Sequence, residues 1–380
     1  MSARPHLVKC ILPPFILDHI ASNGSDLQRA RASQTQQQSA QFRAQRAAAA
    51  TMQASKAPAA GAGKSRNVYT ANSGTSLPGQ LVRQEGGPPT GDPAADEAYD
   101  GAGLTYDLYW DVYQRNSVDN QGLRLDSTVH YDRGYDNAFW NGAQMVYGDG
   151  DEDLPPDQRL FNRFTISLDV IGHELTHGVT QYTANLAYQN QPGALNESMS
   201  DVFGSLVKQR SRGQDAASAD WIIGEGLFTA NVHGVGIRSM KAPGTAYDDP
   251  VLGKDPQPAH MSQYVNTTQD NGGVHINSGI PNHAFYQVAT AIGGNAWEKA
   301  GQIWYVTLRD KLNPTSNFQA AADQTFAVAG SLFGQNSLEQ QAVKDGWAAV
   351  GITVGGGGTP ESPGCFAGLL KALGFRSVLL

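Results

Sequence analysis

Hydrophobic and polar positions divide the chain into a part with strand-like patterns and a later part with helical patterns. Six stretches carry apolar residues at helical spacing. They are 167–180, 196–209, 280–292, 297–311, 318–333 and 337–350. Apart from the first of these stretches, residues 67–186 contain short runs rich in Val, Tyr, Thr and Trp between Gly, Asn and Asp clusters, a pattern typical of strands. We therefore predict a β-rich lobe, 67–186, followed by a helical lobe, 187–354.

The two ends of the chain have a different composition. Residues 28–66 are dominated by Gln, Ala, Ser and Arg and have few bulky apolar residues, which predicts a linker that is helical in part. This linker sets residues 1–27 apart, so that 1–66 forms one N-terminal segment. Residues 355–380 comprise a glycine spacer and a tail of unknown role, in which some apolar residues can line one helical face. These are Phe366, Leu369, Leu370 and Leu373.

Charge and composition exclude several classes of protein. The 380 residues carry a net charge of -8, so a nucleic acid is not an expected partner. Two cysteines, Cys10 and Cys365, provide no disulfide framework. We expect no membrane span, because no apolar stretch reaches about 18 residues. Pro13 and Pro14 interrupt the short apolar run near the N-terminus, so we predict no signal peptide, and a cytoplasmic location or secretion by a leaderless route.

The sequence His173-Glu174-Leu175-Thr176-His177 is the strongest chemical signal. Histidines four apart lie one helical turn from each other and can share a metal ion, while Glu174 can face a bound water. Glu197 adds a carboxylate from a second helix and leaves a fourth position open, as a catalytic zinc site requires. Asp201 can then accept the ring proton of His173, and Asn196 can hold His177.

These features also have structural explanations. Two histidines on a helix are often only surface or core residues, but that explanation weakens once Glu197 is added. A further cluster places Asp270 five residues before His275 on a glycine-rich turn. A carboxylate at this spacing can orient the imidazole and keep it cationic, although an isolated Asp and His pair in a loop is usually a turn cap.

These three blocks, in this order, resemble the thermolysin-like metallopeptidases, and the resemblance runs from about Val68 to Gly351. Four other segments are similar to the family. They are Leu77-Pro78-Gly79, Tyr109-Trp110-Asp111-Val112, Asp136-Asn137-Ala138-Phe139-Trp140-Asn141-Gly142 and Arg238-Ser239-Met240. The resemblance implies an α+β fold with a β-rich N-terminal lobe, a helical C-terminal lobe and the zinc helix between them.

The same resemblance implies a role for each matching residue. Zinc would be held by His173, His177 and Glu197, and Glu174 would be the general base of a neutral endopeptidase. Tyr188 and His275 would bind the oxyanion. Asp270 would hold His275, and Arg238 would donate a hydrogen bond to a substrate carbonyl. Asn137 and Ala138 would pair with the substrate backbone. An apolar pocket that favours cleavage before bulky apolar residues would be lined by Phe161, Phe164, Val170, Ile223, Leu227 and Ile237.

The N-terminal segment resembles the short propeptides of the protealysin-like subgroup. The similar residues are Leu12-Pro13-Pro14-Phe15-Ile16-Leu17 and Ile20-Ala21-Ser22-Asn23-Gly24. This implies a zymogen that processes itself and a propeptide that inhibits its own enzyme; the alternative is a disordered tail. Cys10 could approach the zinc as a thiolate, but we favour a small buried hydrophobe.

The double calcium site of many relatives is predicted to be lost. Asp169, Asp220 and Glu225 remain, but Lys208 and Ile222 stand where carboxylates are expected. The alternative is that one calcium still binds, helped by the nearby acidic run. That run comprises Asp149, Asp151, Glu152 and Asp153.

Two other functions compete with an endopeptidase. A zinc-binding scaffold without activity would not need Glu174, Tyr188 or His275, and an aminopeptidase would need an acidic anchor for a free amine, which the sequence does not reveal. Peptide or protein substrates are therefore the expected partners.

Overall fold

A six-stranded mixed sheet forms the centre of the first lobe in the computed structural model, which describes residues 9–49 and 63–355. The strands are β1 (Lys9–Cys10), β2 (Arg66–Thr70), β3 (Gln80–Gln84), β4 (Leu125–Val129), β5 (Ala138–Trp140) and β6 (Met145–Tyr147). They lie in the order β1-β5-β6-β4-β2-β3, so the first strand is an edge. The β2–β4 and β4–β6 pairs are parallel and the others are antiparallel. All residues of β5 and β6 are buried.

Helices make up most of the second lobe, as the pattern predicts. The helices of the described residues are α1 (Pro14–Asn23), α2 (Asp26–Ala49), α3 (Pro93–Asp107), α4 (Leu168–Gln181), α5 (Asn190–Arg212), α6 (Asp270–Asn277), α7 (Gly279–Ile292), α8 (Lys299–Asp310), α9 (Phe318–Phe333) and α10 (Leu338–Ala349). Four short strands form two further sheets: β7 (Ile222–Ile223) with β8 (Arg238–Ser239), and β9 (Asp248–Asp249) with β10 (Gly253–Lys254). The predicted two-lobed α+β architecture is confirmed. Within the described ranges, no helix is long and apolar enough to cross a membrane.

Helix ends follow local sequence signals where caps are present. The side chains of Asn317 and Ser337 accept backbone N–H groups at the starts of α9 and α10, and α9 has the predicted bounds. Helix α5 instead begins at Asn190, earlier than predicted. The reason is that Pro192 lies in its first turn, where proline is tolerated although it indicates a break.

Helix α3 was not predicted, because its buried face is made mostly of small residues. Ala94, Ala95 and Ala98 are buried there, and Tyr99 and Tyr106 are its bulky buried residues. The helix begins at Pro93, and the Asp92 side chain accepts the N–H of Ala94. Small residues give a weak hydrophobic pattern even when they are fully packed.

Two glycines allow α4 and α5 to approach closely. A Cβ added at Gly172 would lie 3.0 Å from the Cα of Gly204, and one at Gly204 would lie 2.4 Å from the carbonyl oxygen of Asp169. Larger side chains at these positions would force the helices apart. The close approach brings the histidine face of α4 against the carboxylate face of α5.

The N-terminal segment is packed on the first lobe at least as far as Ser39, so this part is more than a linker. Helix α2 buries Arg31, Thr35 and Ser39 at 8%, 0% and 4% exposure. Apart from the small Ala32, which is buried in the hydrophobic core, these contacts are polar, which is why the apolar pattern of residues 28–66 did not reveal them. The predicted helical face of the C-terminal tail lies outside the described residues.

Candidate active site

Three buried side chains converge where α4 meets α5. His173 and His177 lie on α4 and Glu197 lies on α5, and each is 0% exposed. One ligand atom from each lies within 4.8 Å of the others. His173 Nε2 is 3.5 Å from Glu197 Oε2, and His177 Nε2 is 3.3 Å from Glu197 Oε1.

This group fits a tetrahedral metal ion. Zinc bonds of about 2.0–2.1 Å at tetrahedral angles separate neighbouring ligand atoms by roughly 3.4 Å, which matches both distances. Among the described residues, His173 Nε2 and Glu197 Oε2 are buried without a hydrogen-bond partner. Buried polar atoms rarely remain unsatisfied, so an ion at this position explains both.

Asp201 fixes the orientation of His173. Its Oδ1 lies 2.8 Å from His173 Nδ1, and the Arg238 guanidinium donates to both of its oxygens at 2.8 Å. Asn282 Nδ2 also donates to Oδ2 at 2.8 Å. Burial alone would raise the pKa of Asp201, but the charge of Arg238 and the contact with His173 outweigh it and lower the pKa to about 2. The carboxylate is therefore ionised and directs Nε2 of His173 toward the other ligands.

His177 is held from the next turn of α5. Its Nδ1 lies 2.9 Å from Asn196 Oδ1 and 2.9 Å from Ser200 Oγ. Asn196 is fixed in turn, because its Nδ2 donates to the carbonyl of Leu186 at 3.0 Å. Nε2 of His177 is thereby aimed at Glu197.

Glu174 faces the same space from α4. Trp140, on β5, donates its backbone N–H to Glu174 Oε2 at 3.0 Å. The other oxygen, Oε1, is buried and has no hydrogen-bond partner among the described residues. Burial raises the pKa of Glu174 to about 8. A carboxyl group with such a pKa can both accept and donate a proton near neutral pH.

A strained loop brings Asp270 back onto His275. Asn271, Gly272 and Gly273 have φ values of 52°, 83° and 74°, and a Cβ at Gly272 would lie 2.1 Å from Asn190 Oδ1. Asp270 accepts the His275 N–H at 2.8 Å and contacts its Nδ1 at 2.6 Å. Burial alone would lower the pKa of His275, but Asp270 and Glu197 outweigh it and raise the pKa to about 9.

Tyr188 completes this side of the site. Its hydroxyl contacts His275 Nε2 at 3.2 Å and donates a very short hydrogen bond to Glu197. Tyr188 and His275 therefore present an O–H and an N–H group beside the metal group.

The N-terminal strand β1 lies in the cleft in front of these groups. It pairs antiparallel with β5, with Cys10 opposite Phe139. The carbonyl of Cys10 lies 3.0 Å from His275 Nε2, and the carbonyl of Ile11 accepts from Arg238 at 3.1 Å. Cys10 is 7% exposed and packs in a small apolar cluster with aromatic residues.

The residues predicted to line an apolar pocket are buried. All six belong to the main hydrophobic core, which also contains the fully buried Ile11. They are Phe161, Phe164, Val170, Ile223, Leu227 and Ile237, each 0–1% exposed.

Lys208 occupies the region where relatives place carboxylates. It is 2% exposed, and its ammonium group lies 2.8 Å from Asp169, 2.8 Å from Asp220 and 3.9 Å from Glu225. It also donates to the carbonyl of Ile222 at 2.6 Å. Burial alone would lower the pKa of Lys208, but Asp169 and Asp220 outweigh it and raise the pKa.

The nearby acidic run contacts cations of the protein. Asp149 contacts His130 at 2.8 Å, and Glu152 contacts Arg163 at 2.9 Å. The other two acids of the run, Asp151 and Asp153, share one guanidinium, that of Arg31 on α2, at 3.3 and 2.8 Å.

The fold and the site together define a single-metal zinc peptidase with its zinc helix between two lobes. Residues 25–181 match the family model of the thermolysin metallopeptidase catalytic domain. Residues 184–352 match the family model of the thermolysin metallopeptidase alpha-helical domain. The chain belongs to the thermolysin metallopeptidase family. With the metal group described above, it is a zinc metalloendopeptidase.

Individual relatives agree with this assignment. The chain is 51% identical over 355 residues to an extracellular metalloprotease of Pectobacterium carotovorum, covering 93% of this chain and 99% of that protein. It is 44% identical over 268 residues to a thermolysin of Alicyclobacillus acidocaldarius, covering 69% of this chain and 46% of that protein. The solved precursor of protealysin from Serratia proteamaculans has a TM-score of 0.81 and 50% identity, covering 91% of this chain and 100% of that one. The resemblance to the protealysin-like subgroup is confirmed, and the match to a precursor supports a zymogen.

Some residues of the site were not predicted from the sequence. Asn282 holds Asp201, and Gln257 donates to the carbonyl of His275 at 2.8 Å. Arg238 was assigned only to the substrate, although it also holds Asp201. Ser200 could have been found, because it lies on the face of α5 that carries Asn196 and Glu197.

Proposed function

We propose that the chain is the self-processing precursor of an endopeptidase that cleaves peptide bonds before bulky apolar residues. One observation carries this proposal. An extended segment of the chain itself lies in the cleft, and its backbone is bound by the residues whose equivalents in the family are expected to bind a substrate. These residues are Asn137, Ala138, Arg238 and His275.

Zinc held by His173, His177 and Glu197 would polarise the scissile carbonyl and lower the pKa of a bound water. Glu174 accepts the proton of the attacking water, because its Oε1 has no hydrogen-bond partner among the described residues and its pKa of about 8 suits proton transfer. It then delivers the proton to the leaving amine. Trp140 steadies the other oxygen during both transfers.

His275 and Tyr188 stabilise the negative charge that develops on the carbonyl oxygen. Asp270 keeps His275 protonated and aims its Nε2 into the cleft, where it contacts a peptide carbonyl in this structure. Removing one such donor typically costs on the order of a hundredfold in rate.

Six buried apolar residues, which the family resemblance assigns to the pocket, support the preference for bulky apolar residues. An apolar substrate side chain that enters such surroundings would be transferred out of water. Each buried methylene contributes about 0.8 kcal/mol, which favours Leu over Ala by more than tenfold in specificity constant.

The N-terminal segment, residues 1–66, acts as a propeptide and intramolecular inhibitor in this proposal. The backbone of β1 fills the cleft, and α2 anchors the segment through Arg31 on the acidic run. The catalytic unit then comprises the two lobes, 67–186 and 187–354. Two relatives, from Pectobacterium and from Serratia marcescens, are named extracellular, which supports an action outside the cell.

Calcium is not needed for folding in this proposal. Lys208 supplies a positive charge among the three acids where the family's two calcium ions would need several carboxylates. The acids that could support a single ion are already held by His130, Arg163 and Arg31.

A substitution of Glu174 tests the mechanism. We expect Glu174→Ala to abolish hydrolysis of casein and to accumulate as uncleaved precursor, while zinc content stays near one ion per chain by atomic emission. The Glu174 side chain transfers protons and binds no metal in this proposal, so loss of zinc from this variant would refute the assignment. Normal maturation of the variant without active enzyme would show that another protease removes the propeptide.

A further inference from the structure

The segment that begins with strand β1 has a defined register in the cleft, set by three contacts of its backbone. The Cys10 carbonyl contacts His275 Nε2 at 3.0 Å, and the Ile11 N–H donates to the Ala138 carbonyl at 3.2 Å. The Ile11 carbonyl accepts from Arg238 at 3.1 Å. These contacts leave no freedom to slide by one residue, because a shift would exchange every donor and acceptor.

The next residue strengthens the register. The N–H of Leu12 donates to Asn137 Oδ1 at 3.0 Å, and Asn137 Nδ2 lies 3.4 Å from the Leu12 carbonyl. After Pro13 the chain turns into α1, which begins at Pro14. Only a short extended segment therefore crosses the site.

This register aligns one particular peptide bond with the catalytic groups. The carbonyl in contact with the oxyanion donor His275 belongs to Cys10, and the residue that follows it is Ile11. Ile11 is apolar and 0% exposed, as expected of the residue that follows the cut in the proposed function. The bond between these two residues thus meets the requirement for position and the requirement for side chain.

We infer that the precursor's own Cys10–Ile11 peptide bond is its first substrate and is cut within the same molecule. This inference rests on the proposed function and adds a site of action to it. Water adds to the carbonyl carbon of Cys10, the C–N bond to Ile11 breaks, and Cys10 keeps both oxygens as a carboxylate. Glu174 transfers the two protons of the water in turn to the nitrogen of Ile11, which leaves as an ammonium group.

This cut differs from removal of the whole propeptide. Residues from Ile11 onward keep their own contacts after the cut, through Leu12 with Asn137 and through Arg31 with Asp151 and Asp153. The shortened chain therefore stays docked. Release of the propeptide needs a second cut, between the end of α2 at Ala49 and the start of β2 at Arg66.

Intact mass measurement and N-terminal sequencing of the precursor test the inference. The precursor is purified in chelator and measured before and after zinc is added. We expect a chain that begins at Ile11 to form before any product of linker cleavage, and we expect the Glu174→Ala precursor to keep residues 1–10. A wild-type precursor that matures while its Cys10–Ile11 bond stays intact overturns the inference.

A mixing experiment separates a cut within one molecule from a cut between molecules. Tagged Glu174→Ala precursor is incubated with active wild-type enzyme. We expect its Cys10–Ile11 bond to survive at times when the wild-type chain has fully lost residues 1–10, because the bond is buried in its own cleft. Equal rates in the two chains overturn the intramolecular step.

Substitutions of Ile11 provide matched variants. Ile11→Pro lacks the N–H that contacts Ala138, so we expect it to block the cut, whereas Ile11→Val should slow it by no more than about fourfold, the effect of one buried methylene. Equal cutting in both variants overturns the register. Amide hydrogen exchange of the zinc-free precursor tests the register without requiring activity. We expect slow exchange at the N–H groups of Ile11 and Leu12, and fast exchange at both would overturn the register.

The outcome for the proposed function is read separately from casein hydrolysis by the matured enzyme. Casein hydrolysis with an intact Cys10–Ile11 bond refutes only the further inference. If the zinc-loaded protein hydrolyses neither casein nor its own precursor, both the further inference and the proposed function are refuted.

Discussion

Replacing Lys208 by Met tests whether an ammonium group takes the place of calcium in this fold. Lys208 is 2% exposed and contacts Asp169, which is 0% exposed, at 2.8 Å. Removing one partner of a buried ion pair leaves the other charge uncompensated, at a cost of about 3–5 kcal/mol. Asp220 and Glu225 are 27% and 44% exposed and also contact Arg212, so they add little. The effect should therefore lie near the lower end, about 3 kcal/mol.

This loss translates into a measurable change in melting temperature. At this chain length, 1 kcal/mol corresponds to roughly 2 °C, so we expect Lys208→Met to melt about 6 °C lower than its parent. The assay is differential scanning fluorimetry of zinc-loaded protein in the inactive Glu174→Ala background, at one scan rate because protease unfolding is often irreversible. Lys254→Met is the matched control. Lys254 is 69% exposed and lies 3.8 Å from Asp248, so its loss should change the melting temperature by about 1 °C or less.

Calcium provides the second arm of the test. A site held at a hundred times its dissociation constant adds about 2.7 kcal/mol, or roughly 5 °C here. We expect millimolar calcium to raise the melting temperature of the protein that retains Lys208 by less than about 2 °C. The Lys208→Glu variant has a fourth carboxylate at this position, and we expect calcium to raise its melting temperature by about 5 °C. A wild-type shift of about 5 °C or more, or equal melting of Lys208→Met and Lys254→Met, would refute the reasoning.

Three further predictions concern the cleft and the propeptide. Tyr188→Phe should lower kcat about a hundredfold with little change in KM, measured on the mature enzyme, and an unchanged kcat would exclude Tyr188 as an oxyanion donor. Cleavage of a peptide library should prefer Leu over Ala after the cut by more than about tenfold, and products cut mainly before Asp or Lys would contradict the apolar pocket. Arg31→Ala should raise hydrolysis of a fluorogenic peptide by unprocessed precursor, because the N-terminal segment loses its anchor on the acidic run. Arg29→Ala, whose side chain is 45% exposed and pairs with Asp26 on its own helix, should not.

The metal group could be predicted from the sequence because its geometry is local. His173 and His177 are one turn apart on a helix, and Glu197, Asn196 and Asp201 share a face of the next helix. The sequence left open only how α4 and α5 cross, and the glycines at their contact make that crossing close. The order of the two lobes could also be predicted, because the hydrophobic patterns of helices and strands have different periods.

Other contacts depend on elements far apart in the chain. Asn282 reaches Asp201 across 81 positions, and no spacing in the sequence announces it. The docking of α2 was missed for a different reason, since Arg31, Thr35 and Ser39 bind through polar groups while sequence patterns report apolar burial. Contacts of this kind require the tertiary structure.

The covalent connection between the propeptide and the catalytic lobes has a thermodynamic consequence. While the N-terminal segment is joined to the catalytic lobes, it is presented to the cleft at an effective concentration on the order of millimolar, so even modest contacts keep it bound. Once the linker is cut, the same segment becomes a free peptide at the concentration of the enzyme, which in a dilute medium is far lower. Occupancy of the cleft then falls although no contact has changed. Dilution would therefore complete activation, and a concentrated preparation of cleaved protein would remain inhibited by its own fragment.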